Sequence, residues 1–137
     1  MKIYLDSSWL LKVLLRQGAV EPLPEGAQVF SSVLLQIECR RTVDRHYKRQ
    51  LIGAEHFARL SQQPSQYMEF FSLLEVNQDI ALRASEPFST PLGTLDALHL
   101  ATAIKIREAE GEGLAFATFD NELAIAAMAH GFTVIAV

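Results

Sequence analysis

Apolar residues arrive along this chain in two kinds of block, and their alternation predicts the fold. Short continuous apolar runs at 2–5, 28–31, 68–76, 114–119 and 133–137 read as strands buried on both faces, the pattern of a parallel sheet. Between them lie longer segments that read as helices: 9–16, 33–48, 54–62, 78–85, 95–110 and a last one running to residue 129. Asp6-Ser7-Ser8, Ser32, Asn77, Thr94 and Asn121 stand where helix caps are expected. Gly18, Gly53, Gly111 and Gly131 stand where helices stop. Pro22 and Pro24 make 20–26 a surface loop, and Pro64-Ser65 predicts a break before the third strand. Strand and helix alternate throughout, so the expected class is α/β, with a central parallel sheet of four or five short strands covered by helices.

Composition narrows this picture. The 137 residues suit a single domain, 1–137, and a chain that is 50% hydrophobic and 20% charged is expected to fold. The net charge of −4 argues against a protein that holds nucleic acid by electrostatics alone. A bound divalent cation would reverse the local field of any acidic cluster. Cys39 is the sole cysteine, which excludes an intrachain disulfide, agrees with a reducing cytoplasm, and reads as a small buried helix residue. Asp6 and Lys12 interrupt the early apolar run, so no secretory signal is read there. The apolar stretch 123–137 is shorter than the roughly 18 residues a spanning helix needs. A cytoplasmic location with no membrane association is expected.

Four acids have comparable positions. Asp6 and Asp120 each follow a predicted strand directly, at the sheet edge where open α/β folds bind ligands. Glu38 lies in the second turn of its helix and leans back toward the same edge. Asp96 opens LDALHLATA, a segment too apolar to lie on the surface. Taken singly, each has an ordinary explanation: a turn or cap for Asp6 and Asp120, the helix dipole for Asp96, an intrahelical partner such as Arg41 or Thr42 for Glu38. Together, four clustered carboxylates would repel without a cation. Oxygen-only ligands suit Mg²⁺ or Mn²⁺, and the expected chemistry is phosphodiester hydrolysis. Asp6, Asp96 and Asp120 are the expected ligands. Glu38 reads either as a ligand or as the acid that holds a water on the metal. Ser7 or Ser8 is expected to bond that water or a phosphate, with Thr118 and Asn121 orienting Asp120.

The segments IYLDSSWLLK, SSVLLQIECRR, LDALHLATA and TFDNELAIAA with GFTVI resemble those of PIN-domain nucleases, in particular VapC-type toxins of bacterial toxin–antitoxin pairs. The most specific of them is LDALHLATA with TFD downstream. This resemblance implies a three-layer PIN-like fold, Mg²⁺ or Mn²⁺ dependence, endonucleolytic cleavage of RNA, a homodimer, and neutralisation by a cognate antitoxin protein. The family's acidic set falls on Asp6, Glu38, Asp96 and Asp120.

Other features divide between function and packing. Arg40, Arg41, Arg45 and Lys48 offer a phosphate-tracking, RNA-binding surface, or simply a solvated helix face. His99 reads first as a satisfied core histidine, and otherwise as a donor to a neighbouring acid. Trp9, Leu10 and Val13 suit either the core or a groove for an antitoxin helix. The segments 10–15 and 51–60 are candidate dimer faces. The competing function is a catalytically inactive PIN-like module that binds RNA or protein. A phospho-acceptor receiver domain fits poorly, because Asp6 is followed by serines and no lysine occurs after Lys105.

Overall fold

A strand covered on both sides must divide its side chains between two cores, and the sequence supplies that division one residue at a time. The computed structural model describes residues 1–135, apart from the side chains at 64 and 65. Its elements in order are β1 (Lys2–Leu5), α1 (Ser7–Leu14), β2 (Gln28–Ser32), α2 (Leu34–Lys48), α3 (Ala54–Leu60), α4 (Gln63–Met68), β3 (Phe71–Leu74), α5 (Gln78–Ala84), α6 (Thr94–Glu110), β4 (Leu114–Ala117), α7 (Asn121–Ala129) and β5 (Thr133–Ile135). From the central strands, Ile3, Leu5, Val29 and Ala117 enter one core with Trp9, Leu10 and Leu14 of α1, Leu35, Cys39 and Val43 of α2, Leu60 and Met68. Tyr4, Phe30, Leu114 and Phe116 enter the other core with Leu100, Ala103, Ile104 and Ile106 of α6 and Leu123, Ala126 and Ala127 of α7. The sheet is therefore the middle of three layers.

The five strands run in the order β3-β2-β1-β4-β5, and every pairing is parallel. The chain winds one way from β1 to β2 and β3 and the other way to β4 and β5. The carboxyl ends of β1 and β4 thus flank the point where the winding reverses, which opens a crevice in such sheets. The register pairs Leu5 with Ala117. The next residues outward, Asp6 and Thr118, emerge side by side.

Several local expectations need correction. The run 68–76 is not one strand: α4 ends at Met68, and β3 takes only Phe71–Leu74. Pro64 does not break the chain, because it falls in the first turn of α4, where a backbone N–H has no helical partner to lose. Helix α1 starts at Ser7 rather than Trp9 and ends at Leu14, with Arg16 at a positive φ of 54°. Thr94 is the first helical residue of α6, and Gly93 occupies its N-cap. Asp120, not Asn121, caps α7, accepting from the Leu123 N–H at 2.8 Å. The Asn77 cap is as expected, accepting from the Ile80 N–H at 2.9 Å. The strand expected over 114–119 stops at Ala117, and of the strand expected over 133–137, residues 136 and 137 lie outside the described residues. Among the described residues no helix is long and apolar enough to cross a membrane.

Candidate functional site

Asp6 leaves β1 in an extended conformation with its carboxyl turned inward, only 2% exposed. Ser8 Oγ donates to Oδ1 at 2.6 Å, and Thr118 Oγ1 donates to Oδ2 at 2.9 Å. Burial pushes the Asp6 carboxyl above its ordinary range, against the pull of His99 and these hydroxyls. The same hydroxyls serve the backbone after β4: Phe119 N–H donates to Ser8 Oγ at 2.9 Å, and Asp120 N–H to Thr118 Oγ1 at 3.0 Å. Ser8 and Thr118 therefore join the ends of the two strands that carry Asp6 and Asp120. Thr118 orients Asp120 through its backbone. Asn121 is the exposed first residue of α7, and the capping bond is made by Asp120 itself.

Glu38 is delivered by the second turn of α2. It pairs with neither Arg41 nor Thr42. Ser7 Oγ donates to its Oε2 at 2.8 Å, and His99 Nε2 lies 2.5 Å from its Oε1. His99 is fully buried in α6, as a core histidine should be, yet it also meets the acid. Its Nδ1 lies 2.7 Å from the hydroxyl of buried Tyr4. Burial opposes a charge on His99, but the Glu38 hydrogen bond and the charges of Glu38, Asp6 and Asp96 outweigh it and raise its pKa. The part of Tyr4 was not legible in the sequence. That of His99 had one signal, its spacing of three residues from Asp96 on one helix face.

Asp96, half-buried in the first turn of α6, is pushed up to about 6, first by burial and then by the charges of Asp120 and Asp6, with Glu38 adding and His99 opposing. The four acids thus lie in one electrostatic field. Among the described residues, however, no three His, Cys, Asp or Glu side chains are grouped closely enough to hold an ion as they stand. In chemistry the donors fit a hard divalent cation: all are carboxylates, and bound positive charge would relieve the repulsion felt at Asp96.

Beside Glu38 lies a groove of about 250 Å³ lined by Ser7, Leu34, Ile37, Arg41, Arg45 and Leu95. Arg41 and Arg45 therefore share this groove with Glu38. Arg40 donates to the Ser61 carbonyl at 3.3 Å, and Lys48 pairs with Asp44 at 3.1 Å. Next in sequence to Glu38, Cys39 has no exposure, and burial, then Glu38 and Asp6, push its thiol up to about 12. Trp9 and Leu10 are buried core residues, but Trp9 and Val13 also line a separate apolar groove against Val20–Leu23. The segment 51–60 is divided, with Leu51 exposed and Leu60 in the core.

An open, doubly wound α/β layer with acids gathered at the carboxyl edge of a parallel sheet defines the class. Within it, the chain belongs to the PIN domain family, whose model matches residues 3–129. Members of this family are generally nucleases, and they generally use divalent metal ions. The fold is similar to that in a toxin–antitoxin complex from Klebsiella pneumoniae (TM-score 0.57, 18% identity, 89% of this chain and 90% of that one covered). It is also similar to VapBC-1 from nontypeable Haemophilus influenzae (0.57, 12%, 98% and 96%) and to a Pyrobaculum aerophilum protein (0.56, 17%, 98% and 84%). No curated protein matches the sequence significantly.

Proposed function

We propose that this chain, as a single PIN-like nuclease domain over 1–137, is a Mg²⁺- or Mn²⁺-dependent endoribonuclease and the toxin of a toxin–antitoxin pair. What supports this reading is that Asp6 and Asp120 follow the paired strands β1 and β4, Asp96 opens α6, and Glu38 of α2 is bonded to His99 of that same α6. Asp6, Asp96 and Asp120 would hold the cation, and Glu38 would serve as a further ligand or hold a water on the cation. When bound, the cation supplies Lewis-acid activation of water and neutralises charge on the phosphate. Ser8 and Thr118 fix Asp6, and Ser7 steadies Glu38. Arg41 and Arg45, which share a groove with Glu38, would contact the backbone of a bound RNA. The toxin role, a cognate antitoxin, a homodimer and a cytoplasmic location rest on the resemblance. The antitoxin also draws support from structural neighbours that are toxin–antitoxin complexes.

The test is cleavage of an RNA mixture by purified protein with Mg²⁺, with Mn²⁺ and with a chelator. Cleavage is expected only with metal, and Asp6→Asn or Asp96→Asn should abolish it while the metal-free fold stays intact. Full activity in either variant removes that acid from the mechanism. The second reading, a binding module that does not cut, draws on the hydrogen bonds that already occupy both oxygens of Asp6 and of Glu38. RNA retention without cleavage under every divalent ion would establish it.

A further inference from the structure

Glu38 reaches the crevice from the far side of the sheet's winding, on a flexible side chain with three rotatable bonds. It shares its field with the like charge of Asp96. The adjoining groove offers two attractive destinations, Arg41 and Arg45, one and two helical turns along α2. Left to itself, the carboxylate would turn toward them and toward water. It is instead 12% exposed and bonded inward to a ring that has no exposure at all.

That ring is immobilised from behind. Tyr4 lies in the central strand, stacked on Phe116 with centroids 5.3 Å apart, and meets the His99 ring edge-on at 5.9 Å. Its hydroxyl holds Nδ1. A carboxylate can only accept, so Nε2 must carry the hydrogen that faces Glu38 whether the ring is neutral or charged. Nδ1 then accepts from the Tyr4 hydroxyl when the ring is neutral and donates to it when the ring is charged, so the chain from Tyr4 through His99 to Glu38 holds in either state.

We propose that His99, anchored by Tyr4, is a positioning residue that fixes the Glu38 carboxylate relative to Asp96. Both His99 and Asp96 sit on one face of α6, so a single rigid helix sets the spacing of two acids that originate on different elements. The catalytic consequence rests on the nuclease reading above; the structural consequence does not.

The experiment has two arms. In RNA cleavage, His99→Phe is expected to lower kcat by about 10–100-fold, the usual effect of losing a group that orients a metal-site acid, with a smaller change in KM. His99→Gln, whose amide donor can occupy the place of Nε2, should recover most of that loss, and Tyr4→Phe should show a milder one. In a Glu38→Ala background, His99→Phe should add little, because the two act as a unit. In the metal-free protein, the ¹³C signal of the Glu38 carboxyl should move in His99→Phe, and the imidazole ¹⁵N signal of Nε2 should move in Glu38→Ala. If His99→Phe does not fold, His99→Asn, which keeps a donor only on the Nδ1 side, replaces it. Equal activity of the Phe and Gln variants, additive losses, or a Glu38 signal indifferent to His99 would overturn the proposal. Absence of cleavage by the wild-type protein would strike the nuclease reading alone, and the spectra would still decide this one.

Discussion

Asp96 is partly withdrawn from water and feels the charges of other carboxylates, and its pKa rises to about 6 as a result. An acid whose folded pKa lies above its unfolded value, about 3.9, binds its proton more tightly when folded, so stability falls as pH rises between the two. Asp6 is shifted in the same direction. His99, also raised, contributes stability below its unfolded value that is lost as pH climbs through its folded one. All three make the metal-free protein less stable at pH 8 than at pH 5. Thermal unfolding without metal should show this slope, and Asp96→Asn should flatten it and raise Tm at pH 8. A slope identical to wild type would mean that Asp96 does not share a field with the other acids. At this scale the acids were legible because each stands at the boundary of an apolar run. The partner of Glu38 was not, because His99 is 61 positions away and the local candidates, Arg41 and Thr42, satisfy the same spacing rule.

Among the elements, α6 couples packing to chemistry. It presents Asp96 and His99 to the crevice while Leu100, Ala101 and Ala103 are completely buried. Leu100→Ala should cost about 2–5 kcal/mol, as buried leucine truncations do, measured by urea denaturation; a loss below about 1 kcal/mol would mean the α6 seat on the sheet is loosely packed. The alternation of strands and helices was readable because strands covered on both faces are apolar throughout. The segment 63–76 was misread for a physical reason. MEFFSLLEV is a short apolar run that periodicity cannot assign to helix or strand, and a proline suggests a break when it also suits a first helical turn. Caps shifted by one residue at α6 and α7 because neighbouring polar residues, Gly93-Thr94 and Asp120-Asn121, compete for the same position.

For the whole molecule, a net charge of −4 sets the terms of any meeting with RNA. Net charge would not draw RNA in, so under the proposed function affinity would have to come from the arginines beside Glu38 and from a bound cation. Arg41→Ala and Arg45→Ala should each raise KM and lower the slope of log affinity against log salt by about 1, with kcat little changed. Salt titration of RNA binding checks this, and an unaltered slope would assign these arginines to solvation. The order β3-β2-β1-β4-β5, and with it the place where the winding reverses, could not be read from the run of apolar blocks, although the sheet edge that carries Asp6 and Asp120 could. Cys39 adds a use that the fold supplies without engineering. The only thiol in the chain adjoins Glu38, has no exposure, and holds its proton to about 12. A maleimide in neutral buffer can reach it only when α2 lifts from the sheet, so the rate of its alkylation is a native clock for the opening of the face that carries Glu38.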